Sequence, residues 1–125
     1  MIRPALALAA LTLTTACLPP ETVSEIPTAL QGRWALVPAD CEPGRSDAKG
    51  LMIVGPHSLG FYESRAVLDR LSQRSEDRVQ GSFIFTGEGE SWTRLVTLSL
   101  SDASLTRRET APDAAPLALT YSRCP

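Results

Sequence analysis

Arg78-Val79-Gln80-Gly81-Ser82-Phe83-Ile84-Phe85-Thr86-Gly87-Glu88-Gly89-Glu90-Ser91-Trp92-Thr93-Arg94-Leu95-Val96-Thr97-Leu98-Ser99-Leu100 decides the fold. Its apolar residues recur every second position, the period of a strand with one face buried. Val79, Gly81, Phe83 and Phe85 share one face and Arg78, Gln80, Ser82 and Thr86 the other, with Ile84 the exception. After the glycine-rich Gly87-Glu88-Gly89-Glu90 the pattern resumes: Trp92, Val96, Leu98 and Leu100 lie opposite Thr93, Thr97 and Ser99. Two alternating runs joined by such a stretch read as a β-hairpin.

The same signal extends in both directions. Strands are expected near residues 33–37, 51–54, 58–63, 66–72, 78–86, 91–100, 103–108 and 117–124. The fourth is ambiguous, because Val67, Leu68 and Leu71 also fit one or two amphipathic helical turns. Ahead of them, Ile26-Pro27-Thr28-Ala29-Leu30-Gln31-Gly32 carries proline where a first turn tolerates it and glycine where a turn ends. Seven or eight short antiparallel strands in about a hundred residues imply an all-β domain, a small up-and-down barrel or curled sheet, with a short N-terminal helical turn.

At the N-terminus, Arg3 precedes an apolar stretch over residues 5–13, the size of a secretory core and too short to span a bilayer. Leu13-Thr14-Thr15-Ala16-Cys17 follows, and it resembles the lipobox of bacterial lipoproteins, with Thr14 in the slot where the pattern prefers the apolar residue. The resemblance implies a signal peptide over 1–16, lipidation of Cys17, a proline-rich tether over 17–25 and a folded domain over 26–125. Two or more acyl chains hold a protein stably on a membrane. Leu18 after the cysteine implies the outer membrane, its inner leaflet facing the periplasm. The other reading is an ordinary secretory signal with a coincidental cysteine.

With Cys17 lipidated, Cys41 and Cys124 are the remaining thiols, and export to an oxidising compartment makes their pairing the expectation. Closing so long a loop restricts the denatured chain by roughly 4 to 5 kcal/mol in the chain-entropy model. Two free thiols or half a metal site is the alternative, but a zinc site needs further His or Cys partners.

Gly32-Arg33-Trp34 opens the first strand, and Arg123 shares a face of the last with Leu119 and Tyr121. This resembles barrels of the calycin type, the lipocalins and their relatives, in which a Gly-x-Trp starts the first strand and a cation from near the other terminus covers the indole. The resemblance implies a barrel floor built from Trp34 and Arg123. More narrowly, Gly32-Arg33-Trp34, Asp40-Cys41, Gly50-Leu51, Phe61-Tyr62-Glu63-Ser64, Gly87 to Trp92 and Tyr121 to Pro125 resemble small proteobacterial envelope proteins with an "FYES" signature. That group implies fold and location, not an activity.

Charges fall on apolar faces at Glu63, in line with Leu59 and Phe61, at Arg94, in line with Trp92 and Val96, and at Arg123. An unpaired buried charge is costly, so these residues should pair or reach the barrel mouth. They read either as a polar spot for a carboxylate or sugar-like ligand or as an ion pair fixing strand register. Residues 38–50 form a long connection around Cys41 with Asp40, Glu42, Arg45, Asp47 and Lys49. A solvated loop pinned by the disulfide suits them better than calcium, which wants more closely spaced oxygens.

Net charge is −2 and no basic stripe interleaves with aromatics, so nucleic acid is not an expected partner. The one histidine, His57, lies in a turn, and HExxH, nucleophile-elbow and phosphate-loop motifs do not occur. Glu63 and Asp40 offer a carboxylate pair of the kind any acidic chain contains. The expectation is therefore a non-enzymatic, cofactor-free envelope module that binds a small ligand or an envelope protein. The alternative is a protein inhibitor: the 87–92 hairpin is loosely similar to the inhibitory loop of periplasmic lysozyme inhibitors, and Glu88 and Glu90 would complement a basic enzyme.

Overall fold

The structure, a computed structural model, describes residues 10–15 and 25–125. Cys17, residues 18–24 of the expected tether and most of the expected leader lie outside the described residues, and no described helix is long and apolar enough to cross a membrane. Eight antiparallel strands close into a barrel in chain order, each pairing with the next and the last with the first. They are β1 (Gly32–Ala35), β2 (Leu51–Val54), β3 (Ser58–Gly60), β4 (Arg65–Arg74), β5 (Arg78–Gly87), β6 (Glu90–Ser101), β7 (Ser104–Ala111) and β8 (Ala114–Arg123). The only helical pieces among the described residues are 3-10 turns at Thr28–Leu30 and Pro38–Cys41.

The alternation of the quoted hairpin decides its faces. Val79, Phe83, Phe85, Val96 and Leu98 are buried, whereas Ile84 points outward and is 41% exposed. Glu88 and Gly89 both have positive φ, 50° and 79°, the conformation of a type I′ turn, whose twist matches that of the flanking strands. The fourth segment is a strand, and its helix-like spacing has a local cause. Register shifts fall between Leu68 and Arg70 and between Leu71 and Gln73, so Asp69 and Ser72 are extra residues that reset the alternation. Leu68 and Leu71 thereby both pack against the core. Gly81 sits opposite, where a Cβ would lie 2.7 Å from the Arg70 carbonyl oxygen.

Several expected boundaries move, and β4 and β7 run on to Arg74 and Ala111. β1 stops at Ala35, and β8 begins at Ala114 rather than 117. Pro116 is tolerated there because it falls in the register shift between Leu117 and Ala114, and β1 pairs with β8 only at Ser122 and Arg123. Bulges and unpaired edges are where a strand can lack an N–H. β3 ends at Gly60, not at 63, because the Phe61 N–H donates to the Ser64 carbonyl at 2.9 Å and closes a turn. Glu63 is therefore an exposed turn residue rather than a charge on an apolar strand face.

The barrel has two unlike ends. At the floor, Ile26 and Leu30 are fully buried and plug the interior beneath Trp34, Met52, Leu59, Leu98 and Leu105. At the mouth lie the 61–64 turn, the 88–89 turn, the 112–113 turn and the end of the 38–50 connection. β1 to β3 have only three or four residues each and β4 to β8 have eight to twelve, so the wall is low on one side. The Cys41–Cys124 disulfide, spanning 83 positions, fastens the 38–50 connection to the end of β8. Most of that connection is exposed to solvent, with Asp40 and Ala48 buried, and Arg45 pairs at the surface with Asp47 at 2.8 Å and Glu42 at 3.7 Å.

Candidate functional site

The floor accounts for Trp34 and Arg123 structurally. The guanidinium carbon of Arg123 lies 4.1 Å from the Trp34 ring centroid, and its two terminal nitrogens donate to the carbonyls of Gln31 at 2.9 Å and Ala29 at 2.7 Å. Trp34 Nε1 donates to Leu30 O at 2.9 Å. Both side chains hold the 3-10 plug by its otherwise unpaired carbonyls, a need every helix end has. Among the described residues, Ile26, Leu30 and Trp34 pack into this end and are buried.

The mouth is different. Here Phe61, Phe85 and Trp92 form a stack, with centroid separations of 5.9 and 5.7 Å and interplanar angles of 16° and 19°. Arg107 lies over the Phe61 ring, its guanidinium carbon 4.6 Å from the ring centroid. Arg107 Nε donates to the Tyr121 hydroxyl at 3.1 Å, and its Nη1 pairs with the Glu109 carboxylate. A concavity of about 460 Å³ opens over these groups, with Lys49 and Glu63 at its rim. Burial pushes the Tyr121 phenol up from its ordinary value, and the positive charge of Arg107 pulls part of the way back.

β7 and β8 position the polar pair. Arg107 and Glu109 are buried and share the inward face of β7 with Leu105, and Arg107 stands opposite Leu119 in the register with β8. Burying two charges costs several kcal/mol per ion unless geometry and further hydrogen bonds compensate. The Tyr121 hydroxyl and the Phe61 face supply part of that compensation. Among the described residues, no group of His, Cys, Asp or Glu side chains could hold a metal ion.

The expected polar residues do not meet one another. Arg94 turns to the 112–113 turn, donating to Asp113 at 3.2 Å and to the Thr93 carbonyl at 2.9 Å. Glu63 reaches the mouth, but as a rim residue. Glu88 and Glu90 are exposed at the neighbouring hairpin. The polar centre belongs instead to Arg107, Glu109 and Tyr121, which the charge pattern passed over. Its signal is Leu105-Thr106-Arg107-Arg108-Glu109, where a basic and an acidic residue stand two apart in line with a buried leucine. Arg108 on the opposite face hides that signal, because both faces then carry charge.

A second concavity, about 360 Å³, lies outside the wall beside the disulfide and is lined mainly by apolar groups such as Leu36, Val37 and Pro43. The mouth differs from it in bringing charged groups together beside an aromatic wall. Compared with family models, curated proteins and solved structures, the chain matches none.

Proposed function

We propose that this protein is a lipid-anchored module of the bacterial envelope that acts by binding a small ligand in the barrel mouth, without catalysis. The observation that supports this reading most is the buried Arg107–Glu109 pair, set beneath an open concavity and walled by Phe61, Phe85 and Trp92. A pair needed only for strand register could lie on any part of the wall. This one lies where a ligand can reach it. The anchor is the lipidated Cys17 implied by the lipobox resemblance, and the membrane is the outer one, facing the periplasm.

Native mass spectrometry of the protein extracted from its own membrane tests the whole reading. The expected species is the chain from residue 17 carrying acyl groups, two hydrogens lighter for the disulfide, and accompanied by a retained small molecule. An unprocessed chain without lipid defeats the location, and failure of any small molecule to bind at Trp92 defeats the mouth.

A second reading, an inhibitor of a basic lysozyme-like enzyme, draws support from the exposed Glu88 and Glu90 on the type I′ hairpin. Titrating lysozyme with the protein and with its Glu88→Ala/Glu90→Ala variant separates the two readings. Inhibition that the variant loses supports the inhibitor, and no inhibition by the intact protein removes it.

A further inference from the structure

We propose that the mouth takes a neutral saccharide, its ring face against Trp92 and its hydroxyls shared between Arg107 and Glu109. The inference rests on the mouth being a ligand site and goes further by naming the ligand's chemistry.

Charge balance is the first argument. Two cations, Lys49 and Arg107, and two carboxylates, Glu63 and Glu109, line the concavity. An anionic ligand would have to draw Arg107 away from Glu109 and leave that carboxylate buried without its partner. A cationic ligand would meet the mirror-image penalty, losing Glu109 from Arg107. A neutral ligand separates neither.

Hydrogen-bond chemistry is the second. A guanidinium only donates and a carboxylate only accepts, so a site holding both suits a group that does each, and a hydroxyl does. Arg107 has five N–H groups, of which the contacts to Tyr121 and Glu109 use two. Glu109 has lone pairs beyond the one facing Arg107.

The wall is the third. Trp92 ends the stack formed with Phe85 and Phe61, and it is half-buried at the mouth. A pyranose presents a flat apolar C–H face and a rim of hydroxyls, which is the same division of apolar wall and polar base. The volume, about 460 Å³, lies within the roughly 300–1,000 Å³ usual for small-molecule sites.

The two tryptophans make the test internally controlled, because Trp92 stands at the mouth and Trp34 is buried at the floor with its Nε1–H bonded to Leu30. The full chain, made with its own leader, labelled with nitrogen-15 and held in a sugar-free zwitterionic detergent, is titrated with maltose, N,N′-diacetylchitobiose, glucuronate and glucosamine. At least one of the two neutral disaccharides should move the Trp92 indole N–H saturably while Trp34 stays still, with the two charged sugars about tenfold weaker or worse. Trp92→Ala should weaken that binding about tenfold, as expected for loss of a stacking face.

Glu109→Gln leaves the mouth with a net positive charge and should turn its preference toward glucuronate. If an altered Trp34 signal shows that this variant is misfolded, the rim variant Glu63→Gln makes the same change of sign. Tighter binding of either charged sugar by the unaltered protein overturns the neutral saccharide and leaves the mouth as a ligand site. Silence of Trp92 toward all four probes overturns it too, and the mass spectrum then says which reading failed: a retained non-sugar ligand spares the mouth, and none removes both.

Discussion

Gly32 and Arg123 show how tightly the floor is specified at single positions. Gly32 has a φ of +123°, and a Cβ there would lie 2.9 Å from Arg123 Nη1. Gly32→Ala should therefore cost about 1–3 kcal/mol, read as a fall in the urea midpoint at unchanged slope. Arg123→Ala removes two charge-assisted bonds to the plug carbonyls and the stacking on Trp34. Solvent screens this exposed side chain, so a loss of about 1–3 kcal/mol is expected. The double variant should cost less than the sum, because the clash at position 32 disappears with the guanidinium. Strict additivity would show that the glycine is needed for its φ alone. Below the mouth, the buried Tyr121 gives a pH dependence. Its pKa is raised in the folded protein, so the folded state holds the phenolic proton where the unfolded chain has released it. Stability from this source is complete below the unfolded value near 10 and falls as pH rises through the folded one. Urea midpoints at pH 8 and pH 11 should separate more for the intact protein than for Tyr121→Phe.

At the scale of elements, the glycines of β5 and its turn predict opposite mechanisms for the same substitution. Gly89→Ala meets nothing within 4 Å but must hold a φ of +79°, a backbone cost of about 1 kcal/mol. Gly81→Ala has an ordinary backbone but pushes a methyl against the Arg70 carbonyl and the side chains of Leu68 and Leu71. Overpacking a buried wall in this way costs about 1–3 kcal/mol. Differential unfolding should rank Gly81→Ala as the more destabilising, and the reverse order would mean that the β4 bulges yield. These bulges also mark the limit of what periodicity reveals. β5 and β6 were readable because their register runs unbroken from Arg78↔Ser99 to Gly87↔Glu90, so a period of two survives along both. In β4 the extra residues Asp69 and Ser72 turn an alternating strand into one with helical spacing. Barrel closure was legible through Cys41 and Cys124, whose positions anticipate the β1–β8 pairing. The centre of the mouth was not. Its charges cancel across one face of β7, and its aromatic wall is drawn from β5, β6 and the 61–64 turn, segments that only register brings together.

For the whole molecule, the seam where the barrel closes carries the next consequence. β1 and β8 share only Trp34↔Arg123 and Ala35↔Ser122, against ten paired positions between β5 and β6. The disulfide stands beside that seam, and the Cys124 N–H donates to the Arg33 carbonyl at 2.9 Å. Cys41→Ser/Cys124→Ser should therefore lower stability by about 4 kcal/mol, within the usual range of roughly 2–5. Amide exchange locates the damage. If the cross-link acts through the seam as well as the unfolded chain, protection should fall first in β1, β2 and the last residues of β8, while β5 to β7 exchange only on global unfolding. A uniform loss across all eight strands would mean that it acts through the denatured ensemble alone. Trp92, Arg107 and Glu109 stand on β6 and β7, away from the seam. The variant should therefore keep the intact protein's Trp92 response to ligand at temperatures where the Trp34 indole N–H at the floor has already begun to exchange.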